Sequence, residues 1–230
     1  MRGARANALP GIVLQIVALA LVLAYYHHPP SRALLEQLAD FRRSTGFGFS
    51  IASTGLFGGL LPFLYIKLNP RTAGRYCWSQ GAAFIIFWAY KGFEIDLFYR
   101  LLAHSVGAEA SPITVTAKVL LDQFVYCPVY AIPGTVLLYE WTEVRFAMAR
   151  VAADIRTGGW YYRRVLPALL SNIGVWVPAT AIIYTLPTPL QLPLQNVVLF
   201  FFTLLLAHLT ARRAQEDCPR EKNRPGLRLS

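Results

Sequence analysis

The chain has 230 residues, 55% hydrophobic and 15% charged, against about 25% charged in ordinary soluble domains. That shortfall argues against a soluble enzyme with a wetted surface and fits one that largely faces lipid. The formal charge of +10 comes with no nucleic-acid recognition motif, so it is read as basic loops and a basic tail held at an anionic leaflet.

Six apolar runs follow in chain order, at 10–26, 47–66, 81–101, 117–139, 166–186 and 192–211. At 1.5 Å per residue, each is long enough for a hydrocarbon core of about 30 Å. The first run follows Arg2 and Arg5 and ends in Tyr25-Tyr26-His27-His28-Pro29-Pro30 without a small-x-small cleavage site. It is read as a retained span, with the two histidines as an interfacial cap rather than a metal pair. The second run is rich in small residues and contains Gly55-x-x-x-Gly59, either a general packing face or a dimer motif.

The third run carries Lys91, Glu94, Asp96 and Arg100. Lys91 and Glu94 are three apart, and Asp96 and Arg100 four apart, so each pair meets on a helix face. Ionisable groups at membrane depth are costly and are generally paired or turned to a watery cavity. Two readings stand side by side: a polar lining for a permeation path, or interfacial ion pairs where the helix emerges among headgroups. The fourth run opens with Lys118, Asp122 and Gln123, and the 118–122 spacing lets that lysine and aspartate neutralise one another. Pro128 and Pro133 in this run, and Pro178 in the fifth, are expected to kink their helices.

Between the fourth and fifth runs, Trp141, Val144, Met148, Val151 and Ile155 recur at helical spacing, with Arg145, Arg150, Asp154 and Arg156 on other faces. This reads as one amphipathic helix at the interface, closed by Gly158-Gly159. Residues 212–230 form a basic, proline-containing tail expected to be disordered.

With six crossings and the N-terminus inside, sixteen basic residues fall on the inner side and five on the outer. That bias places both termini in the cytosol or its equivalent. The fold expected is all-α: a polytopic bundle of about six hydrophobic helices over residues 1–211, plus one interfacial helix. No catalytic, cofactor-binding or metal-binding set is assembled. Cys77, Cys127 and Cys218 are scattered, and no phosphate loop, nucleophile elbow or HExxH is present.

One resemblance rests on particular residues. Phe98-Tyr99-Arg100-Leu101-Leu102, Gly107, Lys118-Val119-Leu120-Leu121-Asp122-Gln123 with Pro128, and later Trp176-Val177-Pro178 through Pro189 and Leu190 resemble the motifs of a known membrane family. This is the peroxisomal membrane protein and mitochondrial Mpv-type family of small multispan proteins. The likeness covers roughly 90–212, with Phe98 where the family has Trp and Ala103 where it has Asp. It implies a four-helix core plus additions and a non-enzymatic channel or passive transporter for small solutes. The membrane would be a bacterial inner membrane, or a mitochondrial inner or peroxisomal one. Lys118, Asp122, Gln123, Pro128 and Pro178 become pore or scaffold positions by that resemblance. Partners would be the bilayer, small solutes and further copies of the chain, but no nucleic acid. The other expectation is a structural or regulatory membrane protein whose charge pairs only hold the bundle together.

Overall fold

The computed structural model describes residues 2–70 and 72–204, with side chains described from residue 12 onward. The basic tail and the last residues of the sixth apolar run lie outside the described residues. Among those described there is no strand. Eight helices follow: α1 (Arg2–His27), α2 (Pro29–Thr45), α3 (Phe47–Leu68), α4 (Trp78–Ser105), α5 (Pro112–Glu143), α6 (Met148–Arg156), α7 (Tyr161–Ile183) and α8 (Thr188–Leu204).

Three of these, α3, α5 and α7, are long and apolar enough to cross a membrane, and a fourth is added if α1 and α2 count as one broken span. The sequence suggests six. The difference has local causes. Helix α4 has 28 residues but is diluted by Gln80, Lys91, Glu94, Asp96 and Arg100. Helix α8 is described for only 17 residues, about 26 Å at the α-helical rise.

The stretch after α1 is not a plain outer loop. His28 is extended (φ −122°), and its Nδ1 accepts the backbone N–H of Ser31 at 3.3 Å. Pro29 and Pro30 fill the first turn, where a missing N–H costs nothing. The chain therefore restarts as α2, bent by 102° from α1. Arg32 and Glu36 pair along its exposed face at 2.8 Å, while Ala39 and Arg42 are buried. The amphipathic stripe after α5 is also interrupted. Arg145 and Phe146 take positive φ values of 53° and 66°, so Trp141 stays on α5 and Val144 lies in a turn. Only Met148, Val151 and Ile155 share α6, of which Val151 alone is buried. Gly158 and Gly159, at φ 79° and 65°, make the expected break.

Each of the three membrane-length helices contains a π-helical stretch, at 55–60, 122–131 and 161–165. Each stretch ends directly before an X-Pro step: Leu61-Pro62, Ile132-Pro133 and Leu166-Pro167. The residue ahead of the proline bonds five residues back: Leu61 N–H to Leu56, Ile132 to Cys127, and Leu166 to Tyr161. Proline lacks an N–H and crowds the carbonyl four residues earlier. A wider turn lets the apolar helix pass that point as a single element. Pro128 lies inside the second π stretch, whereas Pro178 sits within regular α-helix.

Small residues set the closest approach. A Cβ on Gly59 would lie 2.8 Å from the Ile85 backbone, and one on Gly92 2.1 Å from the Ser50 carbonyl oxygen. The Gly55-x-x-x-Gly59 face of α3 is thus consumed within the chain, against α4. Asn196 of α8 ties into the same pair, accepting from the Thr54 hydroxyl at 3.0 Å and donating to Ser53 at 2.9 Å. Where α4 begins, the Cys77 N–H donates to Gln80 Oε1 at 2.8 Å, and Gln80 Nε2 reaches the Thr142 carbonyl at 2.6 Å. Nearby in the α3–α4 connection, burial and the Glu143 carboxylate push the Tyr76 phenol up to about 12. The main apolar core joins α1, α2, α4, α5, α7 and α8 through residues such as Ala18, Ala39, Tyr99, Val119, Ile183 and Val198.

Candidate functional site

Two separate groups of buried polar residues arise on α4, because its four charges fall on different faces. The first pair forms as the sequence suggests. Lys91 Nζ bonds Glu94 Oε1, with both side chains largely buried. The Tyr126 hydroxyl, on α5, donates to that same carboxylate oxygen. Lys91 Nζ also sits 3.4 Å from the Tyr126 hydroxyl, and 5.5 and 5.6 Å from the ring centres of Tyr126 and Tyr130. The ammonium is therefore held by one carboxylate and two aromatic faces.

The second group is centred on Asp96, which is fully buried. Arg100 reaches it from the next turn, at 3.0 Å to Oδ1 and 3.3 Å to Oδ2. Its other partners are distant in sequence: the Arg42 guanidinium of α2 and the Ser50 hydroxyl of α3. Arg42 also donates to the Thr188 carbonyl at 2.7 Å. Arg100 lies half exposed, 4.5 Å over the Phe47 ring. This cluster clasps α2, α3, α4 and the start of α8 together. Asp96 and Arg100 are not among the residues that line the cavity.

The Lys118–Asp122 pair does not form. Asp122 begins the π stretch of α5, and its Oδ2 accepts from the Tyr184 hydroxyl at 2.7 Å. Its Oδ1 receives the Cys127 thiol at 3.6 Å. Lys118 is buried, and its Nζ has no hydrogen-bond partner among the described residues; it lies 5.8 Å from the Tyr184 ring centre. The same tyrosine thus lies between the two groups, with its ring toward the lysine and its hydroxyl toward the carboxylate.

A cavity of about 950 Å³ lies among α1, α4, α5, α7 and α8. Its polar lining includes Lys91, Asp122, Gln123, Tyr99, Asn172 and Gln195. Tyr99 donates to Gln195 Oε1 and packs edge-on against Tyr184 at 5.3 Å. Asn172 Nδ2 sits 3.5 Å from Gln123 Oε1. Pro178 is on the wall; Pro128 and Pro133 are not, and the Pro128 carbonyl accepts from the Tyr161 hydroxyl at 3.0 Å. Of the seven polar candidates read from the sequence, Lys91, Asp122 and Gln123 reach the cavity. Glu94 orients Lys91 from outside its wall, Asp96 and Arg100 belong to the helix clasp, and Lys118 stands apart.

Several lining residues carry a sequence signal that motif spacing misses. Gln15, Asn172 and Gln195 are amides inside otherwise apolar runs, which is itself unusual in lipid. Arg42 lay in what reads as an outer loop, and only the restart of α2 brings it inward. The chain matches no protein-family model, no curated protein and no solved structure.

Proposed function

We propose that this is an integral membrane protein acting as a non-enzymatic channel or passive transporter for small solutes, with the cavity as its solute site. The observation that carries this reading is the meeting of Lys91, Asp122 and Gln123 on one cavity wall within an apolar helical bundle. Cavities of roughly 300–1,000 Å³ with a few placed polar groups are what ligand sites require. A buried Lys91 held by Glu94 keeps a polar wall in place without leaving a lone charge in lipid.

Six crossings accompany this reading, α1, α4 and α8 joining α3, α5 and α7, with both termini on the cytosolic side. The paired charges of α4 lower the cost of its crossing. The likeness to the peroxisomal and Mpv-type family supports the same assignment, because its most specific motif contains Asp122 and Gln123. A bacterial inner membrane or the family's organelle membranes would host the protein.

The test is flux from liposomes over a panel of anionic and small neutral solutes, with Asp122→Asn beside wild type. The variant keeps an oxygen for the Tyr184 hydroxyl but removes the charge. A changed rate for at least one solute, with unaltered thermal unfolding, is expected. Equal flux from both proteins and from empty vesicles would contradict the proposal. A second reading, a structural protein whose charge pairs only bind the helices, is favoured by the Asp96 clasp, which does not line this cavity.

A further inference from the structure

Resting on the reading of the cavity as a binding site, we infer that its occupant is an uncharged amphiphile entering sideways from the bilayer, an alkyl or isoprenoid chain with a hydroxyl head. Four observations lead there. First, both charged lining groups are already engaged. Lys91 is neutralised by Glu94, and both oxygens of Asp122 already accept from protein donors. An anion beside Lys91 would be desolvated without compensation, and a cation beside Asp122 would have to share oxygens already taken by Tyr184 and Cys127.

Second, the walls away from this polar group are apolar, formed by residues such as Ile12, Ile95, Val175, Leu199 and Phe202. A strongly hydrated solute would lose its water against these surfaces with nothing to replace it. Third, the rim is open and largely apolar; the exposed Ser171 hydroxyl is taken up by the Pro167 carbonyl. Ile12 and Leu170 line the cavity yet are 55% and 63% exposed, on the apolar helices α1 and α7. With those helices in lipid, the opening faces hydrocarbon rather than water.

Fourth, one buried acceptor among the lining residues is unused. Gln15 donates Nε2 to the Val175 carbonyl at 2.8 Å, and its Oε1 is buried with no partner among the described residues. An unmet buried acceptor is costly. A ligand hydroxyl supplies the donor without bringing a charge.

The two tryptophans in the lining, Trp88 and Trp176, make binding observable. Full-length protein in detergent micelles would be titrated with three probes of equal chain length, each brominated along the chain: a monoacylglycerol, a fatty-acid anion and an alkyl trimethylammonium. The neutral probe is expected to give saturable tryptophan quenching, with half-saturation at least about tenfold lower than either charged probe. Gln15→Leu should weaken the neutral probe by about fivefold, the loss of one hydrogen bond. Gly174→Phe provides a plug, because Gly174 lines the cavity and an added Cβ meets no atom within 4 Å. In that variant the saturable component should vanish while thermal unfolding is unchanged.

Equal or tighter binding of a charged probe, or quenching that neither variant alters, would overturn the inference. The outcome is separable from the flux result. Flux of a hydrophilic solute blocked by Gly174→Phe, without neutral-amphiphile binding, would leave the transporter reading standing and defeat this one. Neutral binding without solute flux would do the reverse.

Discussion

Two aspartates show how differently one residue type is used in this chain. Asp96 is enclosed by Arg42, Arg100 and Ser50. Asp96→Leu strands the buried Arg42 and should cost about 3–5 kcal/mol, much of it recovered in the Arg42→Met/Asp96→Leu double variant, whereas Arg42→Met alone leaves Asp96 with Arg100 and Ser50 and should cost less. Arg100→Ala, at a half-exposed partner, should cost about 1 kcal/mol or less. Asp122 instead leans on Tyr184 and Cys127. Lys118 and Asp122 meet only through Tyr184, so Lys118→Met and Asp122→Asn should couple by no more than about 1 kcal/mol, far less than Arg42 with Asp96. Thermal unfolding in detergent, run as two double-mutant cycles, measures both; strong coupling of Lys118 to Asp122 would refute the second assignment. The 91–94 and 96–100 spacings made those pairs legible in the sequence, because both lie within continuous helix. The 118–122 spacing misled, since the helix widens at Asp122 and the carboxylate finds the hydroxyl of Tyr184, just past the end of α7.

At the scale of the element, glycine has opposite consequences according to what faces it. Gly92→Ala pushes a methyl against the Ser50 backbone at the α3–α4 contact, where neither chain has room. It should lose about 3 kcal/mol or more, the upper end of overpacking penalties. Gly134→Ala on α5 meets no atom within 4 Å and should gain about 0.5–1 kcal/mol through helix propensity. A thermal-shift comparison decides it: similar effects at the two positions would contradict the packing described for α3 and α4. The existence of the long helices was readable from apolar length, and their small-residue seam from Gly55 and Gly59. The π stretches were not, although Leu61-Pro62, Ile132-Pro133 and Leu166-Pro167 share one signature: an X-Pro step inside an apolar run. Periodicity assumes a uniform 3.6 residues per turn, so any reading of helix faces across such a step loses its register.

At the scale of the molecule, the sequence conveyed an all-helical chain built for lipid, and the described residues are all-helical with three helices of membrane length. The count of six rested on run length and on the distribution of basic residues. Run length does not reveal that the segment after His28 turns back into helix α2, bent by 102° from α1, whereas the charges that dilute α4 are visible in the sequence. The cavity was only partly foreseeable: Lys91, Asp122 and Gln123 were singled out by charge and motif, whereas Gln15, Tyr99 and Gln195 join them through contacts 160 and 96 residues apart in sequence. The proposed function requires this cavity to be the route or resting place of a transported molecule. Solute flux through proteoliposomes carrying Gly174→Phe measures that most directly, with Gly134→Ala as a substitution elsewhere on a long helix. The phenylalanine is expected to reduce flux by about tenfold or more while Gly134→Ala transports like wild type. Undiminished flux through a stably folded Gly174→Phe protein would contradict it.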